Sequence, residues 1–223
     1  SRGLGDVYKR QGSTVTVVSM GPPQADVALR EALAMGCDDA LLISDRAFGG
    51  ADTWATSSTI AAALKKLDYD VIITGRQAID GDTAQVGPQI AEHLGIPQVS
   101  YVEKMDVEGE DTLVVQRQFE DRHQIIEVKT PCLLTALAEL ADPRYMSVHG
   151  VFDAYREKEV KVWGLEDIKD TVNEGNIGLK GSPTRVKKSF TKQAKGAGTI
   201  LNDLSDDEAV AAIVEKLQEK HII

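Results

Sequence analysis

Short apolar runs alternate with stretches of helical periodicity along the first part of the chain. The run TVTVVS at Thr14–Ser19 has the β-branched composition of a buried strand, and Ala25–Met35 places small and apolar residues at helical spacing. Two similar units follow, with strands at Ala40–Ile43 and Asp70–Thr74 and helices from Asp52 or Thr53 to about Leu67 and over Val86–Leu94. Strands and helices in alternation predict a parallel sheet covered by helices.

The pattern changes to strand-like segments after Gln98. These segments are Gln98–Met105, Thr112–Phe119 and Gln124–Thr135, and Glu108–Asp111 has the composition of a hairpin turn. We therefore predict an α/β fold with an open, mostly parallel twisted sheet, flanking helices and added antiparallel strands.

Both ends of the chain depart from this pattern. Residues 1–11 lack periodicity, and their DVYKRQ ending resembles translated cloning or sequencing adapter, so we interpret them as non-native. Residues 12–150 form the predicted α/β domain. Residues 151–223 are predicted to form an extended arm with a final helix at about Asp206–Lys220. We expect this arm to wrap a partner, because an extended segment must bury surface to offset its ordering entropy.

Composition narrows the classes of function. The chain has 223 residues, 42% hydrophobic content and a net charge of -10, so it can bury a core but is poorly suited to nucleic acid. Its two cysteines, Cys37 and Cys132, lie far apart without a CxxC spacing, so we predict neither a disulfide framework nor a zinc site. No apolar run reaches the roughly 20 residues of a membrane span. We expect a cytoplasmic protein.

Three loops follow the predicted parallel strands, at Met20–Pro23, Asp45–Thr56 and Gly75–Gly87. Ligands of open α/β sheets bind beyond the carboxyl ends of the strands, so these loops are the candidate site. In the third loop the glycines permit close backbone approach, and Thr83 and Gln85 precede a helix whose N-terminus favours an anion such as a diphosphate. Alternatively, Asp80 and Asp82 form Asx-type turns in a solvated loop.

The second loop, DRAFGGADTWATS, has Gly49 and Gly50 where a side chain would block a ligand, followed by short polar residues. From the residues alone, a simple N-cap at Asp52 or Thr53 is the preferred explanation of those polar residues. The P-loop, GxGxxG, GxSxG and HExxH patterns are absent from the sequence, and His93 beside Glu92 is interpreted as a solvated surface histidine. We predict no catalytic side chain and no metal site; a bound cofactor would carry the chemistry.

At these same residues the chain closely resembles the beta subunit of electron-transfer flavoproteins. The matching motifs run in order from Gly12 to the C-terminus: VTVVSMGPPQADVALREALAMG at Val15–Gly36, DRAFGGADTWATS at Asp45–Ser57, GRQAIDGDTAQVGPQIAEHLGIPQ at Gly75–Gln98, DPRYMSVHGV at Asp142–Val151 and GSPTRVKKSF at Gly181–Phe190. The second motif resembles the electron-bifurcating type of anaerobic bacteria.

The resemblance implies a Rossmann-like, adenine-nucleotide-binding subunit of an alpha/beta heterodimer. In the bifurcating branch the nucleotide would be FAD, and in the common branch it would be a structural AMP. The residues implied in cofactor binding are Met20, Asp52, Thr53, Thr56, Gly75, Gln77, Ala78, Ile79, Asp80, Gly81, Asp82, Thr83, Ala84, Gln85, Val86 and Gly87. Phe48, Gly49 and Gly50 would lie near NADH.

The family mechanism implied is hydride transfer from NADH to the FAD of this subunit, whose two electrons then separate. One electron would go to ferredoxin or flavodoxin, and the other to the FAD of the alpha subunit, which supplies an acyl-CoA dehydrogenase. Arg144, Tyr145 and Val148 match the family's partner-recognition loop, with Val148 at its apolar anchor position.

One departure and two alternatives remain at this stage. Family members open with a strand carrying a VKQVPD-like motif and a following helix, so we expect this chain to lack a unit that contributes to the site and to bind nucleotide poorly. One alternative is an AMP-binding structural subunit of a non-bifurcating flavoprotein. The other is an adenine-nucleotide sensor of the universal-stress type, which shares the strand-loop-helix cradle but gives no reason for the C-terminal arm.

Overall fold

The computed structural model describes residues 12–79, 81–191, 196, 198 and 200–223. The interpretation of residues 1–11 as non-native sequence lies outside these described residues. The chain divides into two compact units between Arg185 and Val186. The first unit holds the sheets and the candidate site, and the second contains the last helix.

The described strands of the first unit form two sheets. In the first sheet β1 (Thr16–Met20), β2 (Asp39–Ile43) and β8 (Val160–Trp163) pair in parallel in the order β1-β2-β8. The strands of the second sheet are β3 (Val71–Gly75), β4 (Gln98–Glu108), β5 (Thr112–Gln118), β6 (His123–Lys129) and β7 (Cys132–Ala136). Their order is β3-β7-β4-β5-β6, with parallel pairing from β3 to β4 and antiparallel pairing beyond.

Helices connect and cover these strands. They are α1 (Asp26–Ala34), α2 (Thr53–Leu64), α3 (Val86–Leu94), α4 (Val148–Arg156), α5 (Leu165–Ile168) and α6 (Gly178–Gly181). The second unit contains α7 (Asp206–Glu219). Short 3-10 turns occur at Pro23–Ala25, Arg46–Phe48, Ala138–Leu140 and Glu174–Asn176. Among the described residues no helix is both long and apolar enough to span a bilayer.

Local sequence sets the ends of several helices. Asp52 caps α2 by accepting a hydrogen bond from the Ala55 N–H, and Ser147 caps α4 by accepting one from the Gly150 N–H. Helix α3 ends at Gly95, whose φ of 69° lies in the left-handed region. Glycine is suited to that position because it has no Cβ.

Both faces of β2 are buried, as expected for a central parallel strand. Leu41 and Ile43 pack towards α2, in a cluster that includes Ala62 and Ala63. On the opposite face, Leu42 joins a cluster whose members are Leu29, Leu33, Ala34, Ala40, Ala154 and Val160. The continuous apolar run of the strand therefore serves two helical layers at once.

The α/β fold predicted from periodicity is confirmed, including the βα units, the antiparallel strands and the hairpin after β4. The single strand predicted over residues 124–135 is wrong, because the segment forms β6 and β7 in different positions of the sheet. Pro131 lies between them and cannot donate a ladder hydrogen bond, which explains the break.

Residues 151–185 also differ from the extended arm that we predicted. The end of α4 packs on α1 through the buried Ala154, and β8 pairs with β2 along its length. These contacts place the division of the chain after Arg185 rather than after residue 150. The predicted last helix is confirmed as α7, within one residue of its expected end.

Candidate functional site

A cavity of about 850 Å³ opens at the carboxyl ends of β1 and β2. Its lining comes from residues 20–23 after β1, from residues 43–46 and 48–51 after β2, and from Thr56 in the first turn of α2. The volume lies within the range of roughly 300–1,000 Å³ that is typical of small-molecule and cofactor pockets. The position agrees with the rule that places ligands beyond the carboxyl ends of parallel strands.

The wall after β1 is short and rigid. The Gly21 N–H donates to the Ile43 carbonyl at 3.1 Å, which extends the β1–β2 pairing into the loop. Pro23 begins a 3-10 turn, and the fixed backbone angle of proline suits the first position of such a turn. The backbone of this loop, through the Gly21 hydrogen bond and the 3-10 turn, therefore places Met20 and the two prolines at the cavity.

The wall after β2 is organised by Asp45. Its carboxylate accepts hydrogen bonds from the Ala47 N–H at 2.9 Å and from the Leu165 N–H at 3.0 Å. These two bonds hold the pKa of the Asp45 carboxyl below its ordinary value. Phe48 is only 4% exposed and belongs to the core cluster beneath the loop. The Asp45 carboxylate thus fixes the conformation of the loop by joining the backbone of residue 47 to that of residue 165.

The first turn of α2 forms the third wall and links the cavity to the loop after β3. Thr56 lines the cavity, and the Thr53 hydroxyl donates to the side-chain carbonyl of Gln85 at 3.0 Å. Ser57 makes a longer contact of 3.4 Å with Gln89 in the same way. The N-terminus of α2 carries a partial positive charge that favours an anion nearby.

The loop of residues 75–87 follows β3 at the same edge of the fold but does not line the cavity. Asp82 and Ala84 have φ angles of 50° and 51°, in the left-handed region that such residues rarely occupy. The Gln77 side-chain amide donates to the Asp82 carboxylate, and the Asp82 N–H donates to the Ala78 carbonyl. Strained backbone of this kind is concentrated at functional sites.

The structure brings part of the predicted site together. Met20, Phe48, Gly49, Gly50 and Thr56 line the cavity. Asp52 and Thr53 lie at the start of α2, the helix that carries the lining residue Thr56, and Thr53 bonds to Gln85 of the loop after β3. The remaining predicted residues lie in the separate segment that runs from the end of β3 into the first turn of α3: Gly75, Gln77, Ala78, Ile79, Gly81, Asp82, Thr83, Ala84, Val86 and Gly87. Asp80 lies outside the described residues.

Sequence reasoning missed several residues that form or support the cavity. Ile43 and Ser44 line the cavity because they lie at the carboxyl end of β2. The predicted end of that strand at Ile43 could have indicated both residues. Asp45 and Arg46 stood in a candidate loop but were not singled out. Leu165 came from a segment that we predicted to be an arm, and no local pattern connects it with Asp45, 120 residues earlier.

The predicted partner-recognition residues lie at the start of α4. Tyr145 is 98% exposed and Val148 is 76% exposed, whereas the opposite face of the helix is buried through Ala154. Phe152 and Tyr155 extend the exposed apolar face along the same helix. Apolar groups that are exposed side by side on one helix are typical of protein–protein contacts.

His93 differs from the solvated histidine that we predicted. Its ring packs edge to face against Trp54, with 4.6 Å between the ring centroids, and its Nε2 atom is buried without a hydrogen-bond partner among the described residues. Burial, followed by the charge of Lys65, lowers the pKa of His93 from its ordinary value. In α3, His93 lies near the boundary between the buried and the exposed face of the helix. Its contact with Trp54 makes the ring partly buried.

We expect acidification to destabilise the chain through His93. Because the folded-state pKa is lowered, the unfolded state takes up the proton first, so stability should fall as the pH drops below about 6.5. Replacement by glutamine, which cannot gain the charge, should weaken this dependence. Thermal unfolding of both proteins between pH 8 and pH 5 measures the difference, and parallel curves would contradict the assignment.

No group of His, Cys, Asp and Glu that could hold a metal ion occurs in the part of the chain that the structure describes. The cavity walls instead offer backbone groups, small residues and hydroxyls. Such a lining suits an organic ligand with phosphate or carbonyl oxygens.

Comparisons with known proteins agree with this geometry. A family model described as the electron transfer flavoprotein domain matches residues 5–168. The chain is 62% identical over 212 residues to the "Electron transfer flavoprotein subunit beta" of Clostridium acetobutylicum, covering 95% of this chain and 80% of that protein.

Two further relatives are named as parts of reductase complexes. The chain is 54% identical to the "Caffeyl-CoA reductase-Etf complex subunit CarD" of Acetobacterium woodii, over 95% of this chain and 80% of that protein. It is 50% identical to the "Acryloyl-CoA reductase electron transfer subunit gamma" of Anaerotignum propionicum, with the same coverage of 95% and 80%. Matches of this length and identity extend across both the cavity and the C-terminal segment.

Proposed function

The chain belongs to the electron transfer flavoprotein family as a beta subunit, and we propose that its cavity holds the FAD of an electron-bifurcating complex. Membership of this family shows that the chain takes part in electron transfer. The identity of the nucleotide, the electron donor and the division of electrons are our proposal. Membership of this family removes the universal-stress-type sensor considered from the sequence.

The cavity with its glycine-lined wall carries the proposal. Gly49 and Gly50 line the space, and Gly50 has a φ of 72° that favours glycine. Both nearby carboxylates, Asp45 and Asp52, accept hydrogen bonds from backbone N–H groups that offset their charge. A phosphate near the N-terminus of α2 would therefore meet backbone dipoles and the hydroxyls of Thr53 and Thr56. The residues present fit a dinucleotide.

When bound, FAD would accept two electrons from NADH and release them one at a time. The protein's part is binding and orientation. Met20 and the two following prolines would shield one side of the ligand, and Phe48–Gly50 would leave room for NADH on the wall after β2. The loop of residues 75–87, whose backbone takes left-handed conformations, would contact the phosphates or the adenosine.

We further propose a heterodimer with the alpha subunit, in the cytoplasm, that supplies an acyl-CoA dehydrogenase and uses ferredoxin or flavodoxin as the low-potential carrier. The relatives named for caffeyl-CoA and acryloyl-CoA reductases support this class of partner. Arg144, Tyr145 and Val148 would contact the dehydrogenase, because two of them are the most exposed apolar residues at the start of α4.

Cofactor content tests the proposal. We expect the full-length subunit, co-expressed and purified with its alpha subunit, to give two FAD per heterodimer. Absorbance and cofactor extraction should agree on this content, and NADH should bleach the flavin absorbance. One FAD plus AMP would contradict the FAD assignment and support the AMP-binding alternative. A heterodimer with no nucleotide beyond that of the alpha subunit would contradict a nucleotide site in this chain.

A pair of matched variants locates the nucleotide. Thr56→Ala removes a hydroxyl from the cavity, and Ser58→Ala removes one from the same helix outside the lining. We expect only Thr56→Ala to weaken nucleotide retention. Equal retention in both variants would show that the nucleotide lies elsewhere.

A further inference from the structure

We propose that Thr184 and Ser182 are positioning residues that fix the first turn of α2 at the cavity by binding Asp52. The inference rests on the proposed function, in which that turn contacts a nucleotide. It also gives Asp52 a different role from the direct cofactor contact that we expected from the resemblance.

Hydrogen bonds on Asp52 carry the argument. Its Oδ1 accepts from the Ala55 N–H at 3.0 Å, and its Oδ2 accepts from the Thr184 N–H at 2.9 Å and from the Thr184 hydroxyl at 2.7 Å. The Asp52 N–H donates to the Ser182 hydroxyl at 2.8 Å, and that hydroxyl donates to the Gly178 carbonyl at 2.7 Å. We call this set of bonds the Asp52 latch.

The latch leaves the Asp52 carboxylate charged and engaged. Burial raises the pKa of Asp52, but hydrogen bonds from Ala55, Thr184 and the Trp54 backbone lower it more, so the pKa lies below its ordinary value. A deprotonated carboxylate has no proton to donate to a phosphate oxygen, and the Asp52 oxygens already accept from three donors of the protein, so Asp52 is not itself a phosphate ligand. Asp52 therefore acts on the site through the backbone that it holds.

The same segment also supports the wall after β2. The Leu179 N–H donates to the Gly49 carbonyl at 3.0 Å, and the Leu179 side chain lies against Gly50. Gly178 packs directly on the Ala47 carbonyl. Residues 178–184 thus contact two of the cavity walls at once, the glycine loop and the first turn of α2.

Three substitutions test the latch in the heterodimer with its alpha subunit. Thr184→Val removes the hydroxyl bond to Asp52 and keeps the shape and the N–H, whereas Thr184→Ser restores the hydroxyl. The matched control is Thr171→Val, because the Thr171 hydroxyl donates to the Ala62 carbonyl at 2.8 Å, near the other end of the same helix. It should cost stability without reaching the cavity.

We expect Thr184→Val to bind FAD or AMP more weakly than the wild type, by up to about tenfold, because the loss of one internal hydrogen bond to a charged group sets the upper limit of this indirect effect. Thr184→Ser and Thr171→Val should bind as the wild type does. The dissociation constant is measured by first removing the bound nucleotide from each heterodimer and then titrating FAD or AMP back into the protein. Equal affinities for Thr184→Val and Thr171→Val would overturn the proposal.

Amide hydrogen exchange separates this inference from the proposed function. Thr184→Val should speed exchange of the Ala55 amide, whose acceptor is Asp52, and Thr171→Val should leave it unchanged. If the wild type binds no nucleotide in this subunit, the proposed function fails, and faster exchange at Ala55 would still support the latch. Unchanged exchange in Thr184→Val would overturn the latch whatever the cofactor content.

Discussion

Replacing Gly178 with alanine should lower the free energy of unfolding of the full chain by about 2–4 kcal/mol, because a left-handed strain and a steric clash add. Gly178 has a φ of 56°, and a Cβ on it would lie 2.1 Å from the Ala47 carbonyl oxygen. Backbone of the cavity wall cannot give way cheaply, so nucleotide retention should fall with stability. Urea unfolding followed by circular dichroism measures the loss.

Gly109→Ala is the matched control for the strain. Gly109 has a φ of 74° in the hairpin after β4, and nothing lies within 4 Å of the position of its Cβ. This variant should lose only the strain, about 1–2 kcal/mol. Equal losses in Gly109→Ala and Gly178→Ala would contradict a clash with the cavity wall.

Sequence periodicity predicted the first βα units because each one is built from neighbours in the chain. β2 is a run of buried apolar residues, and α2 begins at Thr53, directly after Asp52, whose side chain caps the helix. The carboxyl ends of such strands then place the loops after β1 and β2 together, which is why the cavity lies at two of the three loops that the sequence indicated.

Helix α4 could not be predicted in the same way. Gly150 stands in its first turn, and glycine there is typical of a loop. In the structure a Cβ on Gly150 would lie 2.4 Å from the Ala34 carbonyl oxygen, so the glycine permits a close crossing of α1 and α4. The need for glycine arises from a contact with a distant segment, which local patterns do not reveal.

The latch at Asp52 shows the same limit within the site. A simple N-cap and a cofactor contact were both open for this residue from the sequence. The structure adds two bonds from Thr184, 132 residues later in the chain. Only the fold brings that segment to α2, so the supporting role of residues 178–184 had no signal in the sequence around Asp52.

Gly87→Ala should destabilise the chain by about 1–3 kcal/mol through overpacking beneath α3. A Cβ on Gly87 would lie 2.6 Å from the Thr74 hydroxyl oxygen and 2.9 Å from the Thr135 methyl group. Gly87 lies in the first turn of α3, where the segment of residues 75–87 enters the helix. Displacement of this turn should therefore also weaken the proposed nucleotide contact of that loop.

A double-mutant cycle with Thr74→Ala identifies the cause. The Thr74 hydroxyl oxygen is buried and has no hydrogen-bond partner among the described residues, so its removal vacates space without breaking a bond. We expect Thr74→Ala to recover part of the Gly87→Ala loss, with a coupling energy of about 1–2 kcal/mol. Thr135 is left unchanged because its hydroxyl accepts from the Tyr101 N–H at 2.9 Å. If the two losses are additive, the Thr74 hydroxyl does not determine the distance between α3 and β3. The cost of Gly87→Ala would then come from a shift of the whole helix.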